Sequence, residues 1–467
     1  MRKKHKVYQS PTIRIQPMTK GLADPETSNN LQEQKNRFLK QGKTPVFVVA
    51  GDTSVVEELA AKTSGKIRFD LLGEAEYILR TVKREFRTGE AYLDQTYGPR
   101  ISQDEANEIL LEYISENNLQ ESLTVYWSNE MNCSARMIWK GYSFKCNKPE
   151  ARRYSLWLNG TDENPYLRKF GLRCLMDHEI GTHFYRSYND GFQPWFYDRK
   201  KFGLRGVGSF ESLCTEEGLA SINTLLRAKE KYLWLSALVY YTSCKSTEMN
   251  FKQLFDHLGQ FLHNPEQRWK HVMRVKRGLI DSNDLGGYGK DQCYFEGAVA
   301  ILRNIDNINF KLLMTGKICY DEVARVKRMA RLGSVCLPAI MQDMESYRKQ
   351  LKSIAILNGL FFEHPSHGPS QSYLLRLKER QSGIRKHKKV PDMWPDIQEW
   401  LSPKSLTVVS STAVAIVLLA AALLLLNFGA DPWQILTAIL DCTALVTVTA
   451  YQHIVSFCVT KILVPII

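Results

Sequence analysis

The run Asp177-His178-Glu179-Ile180-Gly181-Thr182-His183 places two imidazoles and a carboxylate within six positions. Neutral imidazole nitrogens are ligands for a divalent metal, and a carboxylate beside them can take and return a proton. The spacing is HExxxH, one residue longer than the HExxH of many zinc peptidases. On a regular helix, positions i and i+4 lie about 40° apart around the axis, whereas i and i+5 lie about 140° apart, so the two histidines could not face one ion. A local π-bulge or a stretched turn, made easier by Gly181, would bring them together.

A catalytic zinc usually takes three protein ligands and keeps one position for water. Thr215-Glu216-Glu217-Gly218-Leu219-Ala220, about 34 residues beyond His183, is the expected source of the third, read as the start of an apolar-periodic helix. One Glu there can face inward while its neighbour faces water; Glu217 is favoured over Glu216. Capping is the other reading of the segment, with Thr215 as N-cap and both acids in the positive end of the helix dipole. One Zn2+ on His178, His183 and Glu217 would lower the pKa of its water, and Glu179 would accept the proton and pass it to the leaving amine.

These residues need elements to hold them. Residues 1–45 are polar and basic and are read as a flexible arm. Apolar residues recur every three or four positions over 46–118, which predicts a helical lobe. Between 122 and 160 the runs SLTVYW, ARMIWKGYSF and RRYSLWLNG predict a small antiparallel sheet bordering the cleft, with residues 153–158 lying along a substrate as an antiparallel partner. Helical spacing returns over 165–360, the metal-binding part. The fold expected over 46–362 is therefore α+β, mostly helical and zincin-like. A basic linker, 363–404, follows. Residues 405–429 then run without a charge, long enough to cross a bilayer, and after Ala430-Asp431-Pro432 the second apolar stretch, 433–460, carries only Asp441, so 405–460 is expected to form a transmembrane helix or hairpin.

Lys and Arg outnumber Asp and Glu by 62 to 49, a net charge of +13 that favours acidic partners. Much of the excess is local, since residues 1–45 hold ten basic side chains against three acidic ones and 376–389 hold seven against one. No helix-turn-helix, zinc-finger or RNP-like pattern accompanies it, so no nucleic-acid partner is expected. The ten cysteines form no CxxC pair, and 1–20 contain no apolar core for a signal sequence, both of which fit a reducing, cytosolic compartment.

HEIGTH followed by TEEGLAS, together with QPW at 193–195 and GGYGKDQCYFEG at 286–297, resembles the microtubule-associated tyrosine carboxypeptidases over about 46–362. The resemblance implies a zinc enzyme that removes the C-terminal tyrosine of α-tubulin, with metal on His178, His183 and Glu217 and Glu179 as acid/base. It implies microtubules and the α-tubulin tail as partners and a place in the cytoplasm and on the cytoskeleton; the apolar tail 405–460 departs from the family and adds a membrane as an expected partner, with the catalytic domain on the cytosolic side. An exopeptidase also needs a cation for the substrate's free carboxylate. Arg152, Arg153, Arg173, Arg205 and Lys290 are the candidates, and Tyr288 and Tyr294 could bind an oxyanion or a substrate ring. The rival readings are a non-catalytic microtubule- or membrane-binding protein that keeps the fold and a metallopeptidase of other specificity; zinc content separates the first of these from an enzyme.

Overall fold

Helices begin where the sequence supplies a polar cap. Ser102 accepts from the Glu105 N–H at 3.3 Å while the Glu105 carboxylate accepts from the Ser102 N–H at 2.8 Å, which starts the helix Gln103–Glu116. Ser209 accepts from Ser212 N–H at 3.2 Å and starts Phe210–Leu226. That helix therefore begins five residues before Thr215, and Glu216 and Glu217 lie in its middle, away from the dipole end that a capping role needs.

The computed structural model describes residues 15–16, 30–46 and 66–374, apart from 120–122, 132, 141–151, 277–278, 280, 363, 367, 370 and 372–373. The expected membrane hairpin at 405–460 and most of the basic linker lie outside these residues. Among the described residues no helix is long and apolar enough to cross a membrane. Helices dominate, as expected, and the lobe up to 118 contains Leu72–Phe86, Gly89–Tyr97 and Gln103–Glu116. Part of the stretch read as a flexible arm is ordered. Leu31–Gln41 is a helix that buries Gln34 and Phe38, one turn apart, and sets the Phe38 ring against Phe251 and Trp269.

The sheet is mixed and not antiparallel. Strands β1 (Ile15–Gln16), β2 (Leu123–Ser128), β3 (Ala135–Lys140) and β4 (Arg153–Asn159) lie in the order β1-β2-β4-β3, with β2 parallel to both β1 and β4 and β3 antiparallel to β4. Consecutive aromatic runs suggested hairpins, but β4 inserts between β2 and β3. Its Tyr154, Leu156 and Leu158 are buried on one face, aligned with Val125 and Trp127 of β2, which suits an interior position. Arg136, only partly buried, lies on β3, an outer strand, where charge is tolerated. Residues 153–158 therefore cannot pair with a substrate, because both edges of β4 are taken. Among the described residues the sheet ends at β1 on one side and at β3 on the other, and β3 packs beside the turn carrying Glu179 and His183.

Behind the site, Phe210–Leu226 crosses Cys293–Arg303 at Gly218 and Gly297. A Cβ on Gly297 would stand 1.7 Å from the Cys214 carbonyl oxygen, so only glycine permits this approach.

Candidate active site

Gly171–His178 is an α-helix, and its continuation Glu179–Phe184 is a π-helical turn that re-enters α-helix at Tyr185–Asp190. The extra residue of HExxxH is absorbed there, which turns the two imidazoles to the same side with ring centroids 5.0 Å apart. Gly181 is not what permits the turn: its φ is ordinary, and an added Cβ would meet Ile340 only at 3.4 Å. The turn is held from outside. Thr182 Oγ1 donates to the Asp177 carbonyl at 3.1 Å and accepts from Asn223 Nδ2 at 2.9 Å, and Tyr347 donates to Asn223 at 2.8 Å. The Asp177 carboxylate is fixed by Tyr113 at 2.8 Å and Arg227 at 2.7 Å.

Glu217 meets both histidines. Its Oε2 lies 3.8 Å from His178 Nε2 and 3.6 Å from His183 Nε2, and the three donor atoms fall within 4.8 Å of one another. Such separations are close to those of ligands that each stand about 2.1 Å from a common ion. The far ring nitrogens are also committed. Thr224 Oγ1 donates to the Ala220 carbonyl at 2.8 Å, so at 3.1 Å it accepts from His178 Nδ1–H and leaves Nε2 bare. His183 Nδ1 lies 2.8 Å from Glu216 Oε1. Glu216 is in turn gripped by the buried Arg186 and by Lys317 at 3.1 Å. Glu216 thus orients the His183 ring, and Glu217 is the residue whose oxygen joins the donor cluster.

The electrostatics follow from these contacts. Burial alone would raise Glu216, yet Lys317 and Arg186 hold its carboxyl well below the ordinary range. Burial, then the neighbouring His183, push His178 down to about 4, so its imidazole is neutral near pH 7. Burial also works against charge on His183, but the Glu217 and Glu216 carboxylates raise it to about 10, a field that favours a cation at this point. Glu179 is pushed up to about 7 by burial, against the pull of His183 and the Met137 N–H of the sheet edge. Its Oε2 is buried without a hydrogen-bond partner among the described residues.

Among the other expected contributors, Tyr294 opens the helix Cys293–Arg303, where after burial Glu217 is the leading influence that raises its phenol. Lys290 is half-buried in the Gly289–Gln292 turn just before it. Tyr288 is buried, with its backbone N–H on the Val275 carbonyl. Arg153 is exposed at the start of β4, opposite Lys140. Arg205 is away from the cluster, in a paired contact with Asp321 at 2.6 and 2.8 Å, and Arg173 is tied to Glu112 and Glu116. Arg152 lies over the Trp139 and Phe196 rings and donates to the Ser187 carbonyl. The sequence reading did not find Arg186, Lys317, Thr224 or Arg274. Arg186 and Thr224 had a signal, since they fall three residues after His183 and seven after Glu217, on the same helical faces. Lys317 and Arg274 arrive from distant segments and had none.

A family model for the microtubule-associated tyrosine carboxypeptidase matches residues 162–359, which include all four residues of the cluster. The rat protein named microtubule-associated tyrosine carboxypeptidase 1 is 32% identical over 337 residues, covering 71% of this chain and 67% of its own. The human protein of that name is 31% identical over 338 residues with the same coverages, and the mouse one 32% identical over 292 residues, covering 62% and 58%. The chain belongs to this family. The relatives match a stretch that contains the π turn and the Glu217 helix.

Proposed function

We propose that the protein is a zinc-dependent tyrosine carboxypeptidase that removes the C-terminal tyrosine of α-tubulin and works on microtubules in the cytoplasm. The observation that carries this reading is the convergence of His178, His183 and Glu217 on one point beside a buried, partnerless Glu179 oxygen, in a chain whose relatives are named tyrosine carboxypeptidases. Two imidazoles and one carboxylate are a donor set that suits zinc with an open position. Bound there, zinc would supply Lewis acidity toward the scissile carbonyl and toward water.

The chain's own residues supply the rest. Glu179, held near neutrality by burial, is matched to accept a proton from the attacking water around pH 7 and return it to the tyrosine amine as the C–N bond breaks. Thr224 and Glu216 fix the two rings so that their inner nitrogens stay available. The net positive charge suits a substrate that ends in an acidic tail.

The test uses the full chain and a tail peptide ending in tyrosine, followed by mass spectrometry. Loss of one tyrosine is expected. Glu179→Gln should keep its zinc and lose turnover by about 10²- to 10⁴-fold, because the amide can neither accept nor deliver the proton. An inactive wild-type protein, or a Glu179→Gln variant of wild-type rate, refutes the reading.

A further inference from the structure

A carboxypeptidase must distinguish a free terminal carboxylate from an internal peptide bond, and this requires a cation near the metal that is not already consumed. Arg186 and Lys317 are spent on Glu216, and Arg227 on Asp177. Arg136 is on β3, on the Glu179 side of the site, and has an interaction of its own. Arg274, on the helix Pro265–Lys276, is differently placed.

Three observations locate it. The Gly218–Gly297 crossing brings backbone against backbone, with a Cβ on Gly218 only 2.2 Å from the Gly297 carbonyl carbon. Glu217 therefore sits beside the first turn of Cys293–Arg303, which carries Tyr294. The Arg274 guanidinium lies over the Tyr294 ring, 5.1 Å from its centroid, one side chain beyond the metal ligand. Its Nε donates to Asp291 Oδ2 at 2.6 Å, which pins one edge of the fork, and the terminal nitrogens have no hydrogen-bond partner among the described residues. Although enclosed by protein, the side chain keeps 36% of its surface open, as expected of a group that lines a cleft. A guanidinium held on one edge by an acid, stacked on a ring and open at the other edge is prepared for a bidentate carboxylate.

We infer that Arg274 is the specificity residue that receives the substrate's terminal carboxylate, oriented by Asp291 and Tyr294. The inference rests on the exopeptidase reading above. Asp291 has the role of a positioning residue, while Arg274 touches substrate.

The experiment compares kcat/KM of the full, zinc-loaded chain on two peptides that differ only in a C-terminal acid or amide. The wild type should prefer the acid. Arg274→Gln keeps the bond to Asp291 but removes the charge, and should lower kcat/KM on the acid roughly 10- to 100-fold more than on the amide, so that discrimination collapses. Arg274→Lys should restore part of it. Retained zinc content reports that the site is intact; should Arg274→Gln lose its zinc, Arg274→Lys alone decides, by whether it weakens the preference for the acid. Wild-type discrimination in these variants, or its collapse in Lys290→Ala while Arg274→Gln discriminates normally, overturns the assignment. A wild type that cleaves acid and amide equally, or cuts inside the peptide, would instead show that the exopeptidase reading is at fault.

Discussion

Replacing Glu216 by Gln tests the division of labour between the two adjacent glutamates. The amide keeps the shape but loses the charge that accepts from His183 Nδ1 at 2.8 Å and faces Arg186 and Lys317. Loss of a carboxylate behind a ligating histidine costs about 10- to 100-fold in metal affinity, or about 1.4 to 2.8 kcal/mol. A second effect appears without metal. The Arg186 side chain is 1% exposed, and a buried charge stripped of its partner costs about 3 to 5 kcal/mol. Because Arg186 still donates to the Ile318 and Leu313 carbonyls, the lower end applies, which lowers Tm by roughly 5 °C for a domain of about 300 residues. Glu217→Gln removes the carboxylate of the proposed ligand set and should lose far more metal with a smaller change in the apo Tm. Zinc stoichiometry under a graded chelator and melting of the apo protein read both quantities. If Glu217→Gln retains one equivalent of zinc while Glu216→Gln retains none, the assignment is reversed.

Thr182→Val should lower the folding stability by about 1 to 3 kcal/mol and weaken zinc, because Asn223 loses its acceptor and the Asp177 carbonyl a donor, whereas Gly181→Ala should be tolerated; a larger drop in Tm from Gly181→Ala would contradict this account of the π turn. Glu296 provides a pH test away from the site, its carboxyl pushed up to about 7 from 4.5 by burial, with Arg68 opposing at 3.9 Å. Between those values the fold keeps a proton that the unfolded chain has released, so this group's contribution is full below about pH 4.5 and is lost as pH rises to about 7. Glu296→Gln should therefore gain Tm relative to wild type progressively across that window, and a difference that does not vary with pH would refute the sign.

What was legible in the sequence was what is local. HExxxH is contiguous, so its demand for a π turn followed from helix geometry alone, and the structure has that turn at Glu179–Phe184. The sheet was legible as three aromatic runs, but their directions depend on which run buries both edges, a tertiary property that put β4 between its sequence neighbours. Glycine looked like the natural cause of the π turn because it is permissive. The support instead comes from Asn223 and Tyr347, whose side chains lie forty or more residues away and leave no mark on the local pattern.

The same contrast explains why two neighbouring glutamates look alike in the sequence yet differ so sharply in place. Residues 216 and 217 are separated by about 100° around their helix, so they cannot share a partner atom on His183. One meets Nδ1 and the other approaches Nε2, and the imidazole is held between them. Glu216 is joined by two cations and so remains a fixed acceptor, while the nearest partners of Glu217 are the two histidines themselves. A metal held on the Nε2 side then has one carboxylate in its own ligand set. The Glu216, Arg186 and Lys317 group behind it carries one excess positive charge. That keeps the ligand shell from becoming doubly anionic and preserves the Lewis acidity on which the proposed hydrolysis depends.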